Sequence, residues 1–509
     1  MYTRRGALVA AGAAFLLLTP CVAQSPAQTR NVGALDSVTS AIMTLPVTTA
    51  SVAARDHFLQ GQRELDLGRQ IDAHAHFQAA VAADSGFAIA YLNVANTGNS
   101  LAEFNTNLAL AERHVAGVTD AERIQIQIAR LGTGNDVNGQ LVLAQQLVAK
   151  YPQSPRAYLV LAGVQGALNR NADARTSIMK AVGLAPRLLV AHTDLGNSYL
   201  FGEPKDFAKS LEHMQHAAAL APNEPYMHDL LGDVYRAQNN LDQARAEYTR
   251  GHQLNPTDAS LLQQRGHVNA FAGNYTAARA DYDSAIALGR ANEQAGFSPF
   301  RAYVSVYAGD PKAAIAELNR LVTGIDAMSV PEPRGVKIAA LSDIAVIAIH
   351  TGDFAAAVEA LKQRTQLLLQ QADQVGTAAF RRSQEANIAY FDAWVAARQG
   401  DYTAAARATD RVGVAVTPDA NPRKLEPVHE LKGYIALYQG NFQEAAGHFA
   451  MGNLNDPYIK YQYAVALAGG GEKDKAQQLF RELAVYNFSN VGYALIRKDA
   501  QQKAASRAD

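Results

Sequence analysis

One spacing recurs along this chain and limits what it can fold into. Between Leu230 and Pro256, small residues stand at Gly232 and Ala244, twelve apart. Tyr248 follows four residues later and Pro256 eight after that. The same register returns as Ala162, Ala174, Ile178, Ala181 and Pro186, and as Gly61, Gly68, Ala73, Phe77 and Ala80. It appears again as Gly266, Gly273, Ala278, Tyr282 and Ala285, and as Gly433, Gly440, Ala445, Phe449 and Pro457. Weaker copies centre on Ala95, on Ile128 with Pro152, on Gly196 with Tyr199, and on turns at Gly309, Gly352, Gly400 and Gly471. Self-similarity at a fixed period means a stack of like units.

The unit is a helix pair. In the first stretch the spacing predicts helix A over 225–238 and helix B over 241–254, joined by a turn at Asn239-Asn240. Asp242 then sits at the positive start of helix B. Gly232 and Ala244 let the two backbones approach, and Leu231, Tyr235 and Tyr248 fill the space around that contact. Pro256 lacks a backbone donor and closes the unit. One pair cannot bury both of its faces, so neighbours must stack on it.

These residues resemble the tetratricopeptide repeat (TPR), a helix–turn–helix unit. The resemblance covers residues 54–490 and implies an all-α, right-handed solenoid of about 11–12 helix pairs, with helix A lining the concave surface. Spacing stretches between 295 and 425, where longer helices or loops are expected, with turn-rich breaks at 324–333 and 417–427. The predicted plan is a signal peptide over 1–23, a leader or partial cap over 24–53 and a regular array over 54–290. Longer, degenerate repeats follow over 291–490, then a C-terminal cap and frayed tail over 491–509.

The N-terminus reads as an address. Arg4 and Arg5 precede an apolar run from Ala7 to Leu18, then Thr19, Pro20, Cys21, Val22 and Ala23, the pattern of an export signal. Two alternatives stay open at each end of it: general secretory or twin-arginine export, and cleavage after Ala23 or lipid anchoring at Cys21. The expected location is periplasmic or secreted. Cys21 is the single cysteine, so the repeats carry neither disulfides nor a thiol nucleophile. No later run is long and apolar enough for a membrane span. The balance of 46 basic against 47 acidic residues leaves no electrostatic footprint for nucleic acid.

No motif with catalytic spacing is present. Gly469-Gly470-Gly471-Glu472-Lys473 lacks the second glycine and the Ser/Thr of a phosphate loop, and it falls at an inter-helix turn. His429-Glu430 lacks the second histidine of a zinc protease, and no G-x-S-x-G occurs. His213 and His216 lie one turn apart, but only Glu212 is near to complete a ligand set. No catalytic residue, cofactor or metal is expected.

What the resemblance leaves for function is the helix A face not used for packing. Its groove positions fall on Asn197, then Asp229, Asp233 and Arg236, then Gln263 and His267. Some TPR proteins grip a C-terminal carboxylate with lysine and asparagine there. Here Asn197 fits, but Asp229 and Asp233 replace the basic partners, which favours a basic or amide-rich segment. Further on, the same positions place Tyr303 and Tyr307, Tyr390 and Trp394, and Tyr434 and Tyr438 on successive helices. Such rings form either a partner-anchoring strip or core filler. The function expected is an exported, non-catalytic scaffold that binds a protein or peptide segment. A small-molecule or glycan carrier is the alternative, and a hydrolytic enzyme with converging residues the third reading.

Overall fold

The computed structural model describes residues 44–419 and 421–506. The expected signal peptide, Cys21 and most of the expected leader therefore lie outside the described residues. Among the described residues there are 25 α-helices and no strand, which is twelve helix pairs and a final helix. The fold is the all-α repeat solenoid expected. No described helix is long and apolar enough to cross a membrane.

Several pairs are glued as the spacing predicts. In α11 (Pro225–Ala237) and α12 (Leu241–Leu254), a Cβ on Gly232 would lie 2.5 Å from the Tyr248 ring, so only glycine lets that ring lie flat on helix A. The same substitution would meet Phe77 at Gly61, Tyr282 at Gly266 and Phe449 at Gly433. At Gly196 the facing side chain is Met214, an unbranched filler in place of the ring. The turn between the helices needs a left-handed residue, supplied by glycine at Gly273 (φ 80°) and by asparagine at Asn239 (φ 60°). In the later repeats an aspartate follows that turn and caps helix B: Asp310, Asp353 and Asp401 accept from the amides of Ala313, Ala356 and Ala404.

The described residues form two compact units, 44–235 with 242–261, and 236–241 with 262–506. Several helices lengthen from residue 291 onward. Helices of 13 or 14 residues such as α7 (Pro155–Ala167), α9 (Leu189–Phe201) and α10 (Phe207–Leu220) give way to longer ones. α15 (Ala291–Tyr307) has 17 residues, α17 (Pro333–Thr351) 19, and α18 (Phe354–Val375) and α19 (Ala378–Gln399) 22 each.

In the first unit, the end of α1 (Val52–Asp66) reaches far along the chain. Arg156 on α7 pairs with Asp66 at 2.6 Å, and Arg69 just after α1 pairs with Glu224 at 2.6 Å. Beside them Gly68 packs under the Tyr226 ring.

The second unit closes on itself. Its last helix, α25 (Val491–Ala505), packs against α15 and α17 as well as against α23 (Pro457–Gly469). Arg497 donates to Phe271 O at 3.0 Å and to Asn487 Oδ1 at 2.9 Å, and its guanidinium lies over the Phe271 ring. Asn487 in turn donates to Arg236 O at 3.0 Å. Residue Ala500, expected at the start of a frayed tail, is fully buried inside this helix.

Candidate functional site

The residues singled out on the helix A faces divide between the two units. In the first unit, α9 carries Asn197 and α11 carries Asp229 and Asp233. Asn197 is 9% exposed, and its amide makes no hydrogen bond among the described residues. Asp233 is half-buried and accepts the Tyr248 hydroxyl at 2.7 Å, so the motif tyrosine both packs on Gly232 and orients this carboxylate. Asp229 is only 3% exposed and is engaged by neighbours. Close by, Arg156 lies between Asp66 and Asp194, which together hold its guanidinium charged. The face is therefore acidic and amide-bearing.

The other groove candidates belong to the second unit. Arg236 is buried, donates to Gln264 Oε1 at 2.9 Å and lies over the Phe488 ring. Gln263 and His267, on α13 (Ala259–Phe271), meet at 2.9 Å, and His267 also bonds Tyr282 Oη at 2.6 Å. These three side chains are engaged inside the protein.

The aromatic series is packed into the interior rather than laid along an open groove. Tyr303 and Tyr307 are buried, Trp394 is 4% exposed and Tyr434 1%. Trp394 stacks on Tyr434 at 5.2 Å between centroids, and Tyr434 on Tyr438 at 6.0 Å. Tyr390 and Tyr438 are half-buried and join the same cluster. Successive helix A faces meet one another here, and α25 adds cover where it packs on α15 and α17. His350 on α17 bonds Tyr458 on α23 at 2.8 Å, and Tyr458 lies edge-on to Trp394.

Inside that core the tyrosines serve a ladder that the sequence did not announce. Tyr303 donates to Asp343 at 2.6 Å and Tyr390 to Glu430 at 2.9 Å, in each case from one helix A to the next. Tyr461 on α23 donates likewise to Asp499 on α25. Burial pushes the Asp343 and Glu430 carboxyls up to about 7 and the His350 imidazole down to about 4. Glu430 also accepts the Asn453 amide at 3.0 Å, so both of its oxygens are held. These tyrosine–carboxylate bonds tie successive helices A together, which gives rigidity.

A second unannounced feature is Arg364 on α18. It stands seven residues after Ala357, where other repeats place Ala80, Ala181 or Ala285. The guanidinium is buried over Phe391, with Nε donating to Ser342 Oγ at 2.6 Å and Nη2 to Asn387 Oδ1. Its Nη1 has no partner, and burial lowers its pKa to about 10.

Comparison with known proteins gives limited relatives. No family model matches the chain. Protein O-mannosyl-transferase TMTC1 of Mus musculus is 28% identical over 145 residues, 28% of this chain and 15% of that protein. Anaphase-promoting complex subunit 3 of Schizosaccharomyces pombe is 26% identical over 179 residues, 35% of this chain and 26% of that protein. The chain thus spans about a quarter or less of the length of these relatives. Among solved structures, the thermophilic TPR protein TTC0263 of Thermus thermophilus is 23% identical, with 41% of this chain and 95% of that one covered at a TM-score of 0.26. The recurring register and the glycine-on-ring packing of its helix pairs make this chain an all-α helix-pair solenoid, similar to tetratricopeptide-repeat proteins.

Proposed function

We propose that the chain is an exported, non-catalytic scaffold that holds a basic or amide-rich protein segment against the helix A face of its first unit. The observation that carries this reading is the unpartnered Asn197 amide on a face that also bears Asp229 and Asp233. An amide offers both a donor and an acceptor to a peptide backbone, and carboxylates favour cationic side chains. Nearly all other polar side chains at the predicted positions are taken up by packing, which supports binding over chemistry. The raised carboxyls of Asp343 and Glu430 are explained by burial inside the closed second unit and support no acid–base role there. Export is supported by Arg4, Arg5 and the apolar run that follows them.

A panel of short fluorescent peptides, lysine-rich, glutamine/asparagine-rich and glutamate-rich, tests the reading by anisotropy. The expected order is basic and amide-rich above acidic, with binding weakened by salt and by Asn197→Ala or Asp233→Asn. Equal binding of all three classes, unaffected by either substitution, would contradict it.

A further inference from the structure

Histidines recur at one place in the repeat. Four residues before the small residue of helix A stand His57, His192, His228 and His429, ahead of Gly61, Gly196, Gly232 and Gly433. Three residues after the small residue of helix B stand His76, His213, Glu247 and His448. The structure brings each set together across the helix pair. His57 and His76 meet Nδ1 to Nδ1 at 3.4 Å, His192 and His213 at 3.5 Å, and His429 and His448 at 3.3 Å. In the fourth repeat His228 Nδ1 lies 2.7 Å from a Glu247 oxygen.

The three imidazole pairs are too long for a good N–H···N bond, which settles near about 3.0 Å. Two nitrogen ligands at about 2.0–2.1 Å on a tetrahedral ion are about 3.4 Å apart, and this is the separation observed. At one pair the tautomer is also set. His192 Nε2 lies 2.9 Å from Pro186 O, a carbonyl that can only accept, so the ring proton sits on Nε2 and Nδ1 presents its lone pair to His213. His216 stacks against His192 from the next turn of the same helix as His213.

We propose that these cross-helix histidine pairs, foremost His192 with His213, are binding sites for a divalent transition metal of the Zn2+ or Cu2+ class. Among the described residues no group of three or more histidine, cysteine or acidic side chains forms a metal cage. Each pair is therefore a two-imidazole chelate whose remaining positions are filled by water, open and exchangeable. Lys432 stands beside His429 and His448 and opposes a cation there, whereas Glu212 stands beside His213 and favours one. This ranks the His192–His213 pair above the His429–His448 pair.

The test uses the full chain, stripped of metal and titrated with Zn2+ against a chromophoric chelator, with Mg2+ as a hard-cation control. Zn2+ uptake by the wild-type chain is expected, unaffected by Mg2+. One equivalent should be lost in His213→Gln, and the equivalents of all the pairs in a chain with His76→Gln, His213→Gln and His448→Gln together. A readout independent of the variants is the paramagnetic resonance of Cu2+ on the wild-type chain, where coupling to imidazole nitrogens is expected. No Zn2+ uptake by the wild type, equal uptake by the triply substituted chain, or a Cu2+ spectrum without nitrogen coupling would overturn the proposal.

Discussion

Tyr390 on one helix A donates its hydroxyl to Glu430 on the next at 2.9 Å, and burial raises that carboxyl to about 7. Tyr303 and Asp343 repeat the arrangement, at 2.6 Å and again about 7. Both acids ordinarily titrate near about 4, so the folded state binds their protons more tightly than the unfolded state does. Their contribution to stability is complete below about pH 4 and is lost as pH rises toward about 7. Each shift corresponds to on the order of 3–4 kcal/mol by linkage, so the second unit should unfold at lower urea at about pH 8 than at about pH 5. Glu430→Gln with Asp343→Asn, which remove the ionisable groups, should flatten that dependence in urea titrations across this range.

Arg364 carries a buried charge with no carboxylate beside it and one nitrogen unpaired. An apolar chain of similar length removes the desolvation cost of this charge and gives up only the bonds to Ser342 and Asn387. Arg364→Met should therefore keep or raise the unfolding midpoint. Arg364→Ala leaves a cavity over Phe391 and should lower it. Calorimetry on both variants separates the charge effect from the packing effect.

Gly232 has no room for a methyl group, since the Tyr248 ring lies 2.5 Å from where its Cβ would be. Gly232→Ala should cost about 1–3 kcal/mol by overpacking, read as a lower denaturation midpoint. Because Tyr248 also holds Asp233, the same substitution should weaken peptide binding at the first unit. Tyr248→Phe keeps the packing and releases only the carboxylate.

Closure of the second unit depends on Arg497, which reaches Phe271 O, Asn487 and Tyr493. Arg497→Ala removes these charge-assisted bonds, worth about 1.5–3 kcal/mol each. Hydrogen exchange should then rise in α15 and α25, with little change in α9 and α10.

The repeat was legible because its glue is local: Gly232, Ala244 and Tyr248 sit within one helix pair, and their sizes alone dictate the contact. Asn239 was readable as a turn for the same reason. The fate of the aromatic series was not, because tyrosines four apart on helix A look alike whether that face is open or covered. What covers it comes from far away, as when Tyr307 meets Ser489 across 182 positions. The histidine pairs escaped because their register appears only when helix A and helix B of several repeats are laid side by side. Arg364 left a signal, a charged residue at an alanine position, that becomes visible once the register of α18 is fixed.

The central claim is that the helix A face of the first unit holds a partner segment. Hydrogen–deuterium exchange of the full chain, with and without the tightest-binding basic or amide-rich peptide, tests it most directly. Slower exchange confined to α9, α11 and the Arg156–Asp66 region is the predicted result. Slowing confined to the helix B layer, α10 and α12, or no change anywhere in the first unit, would contradict it.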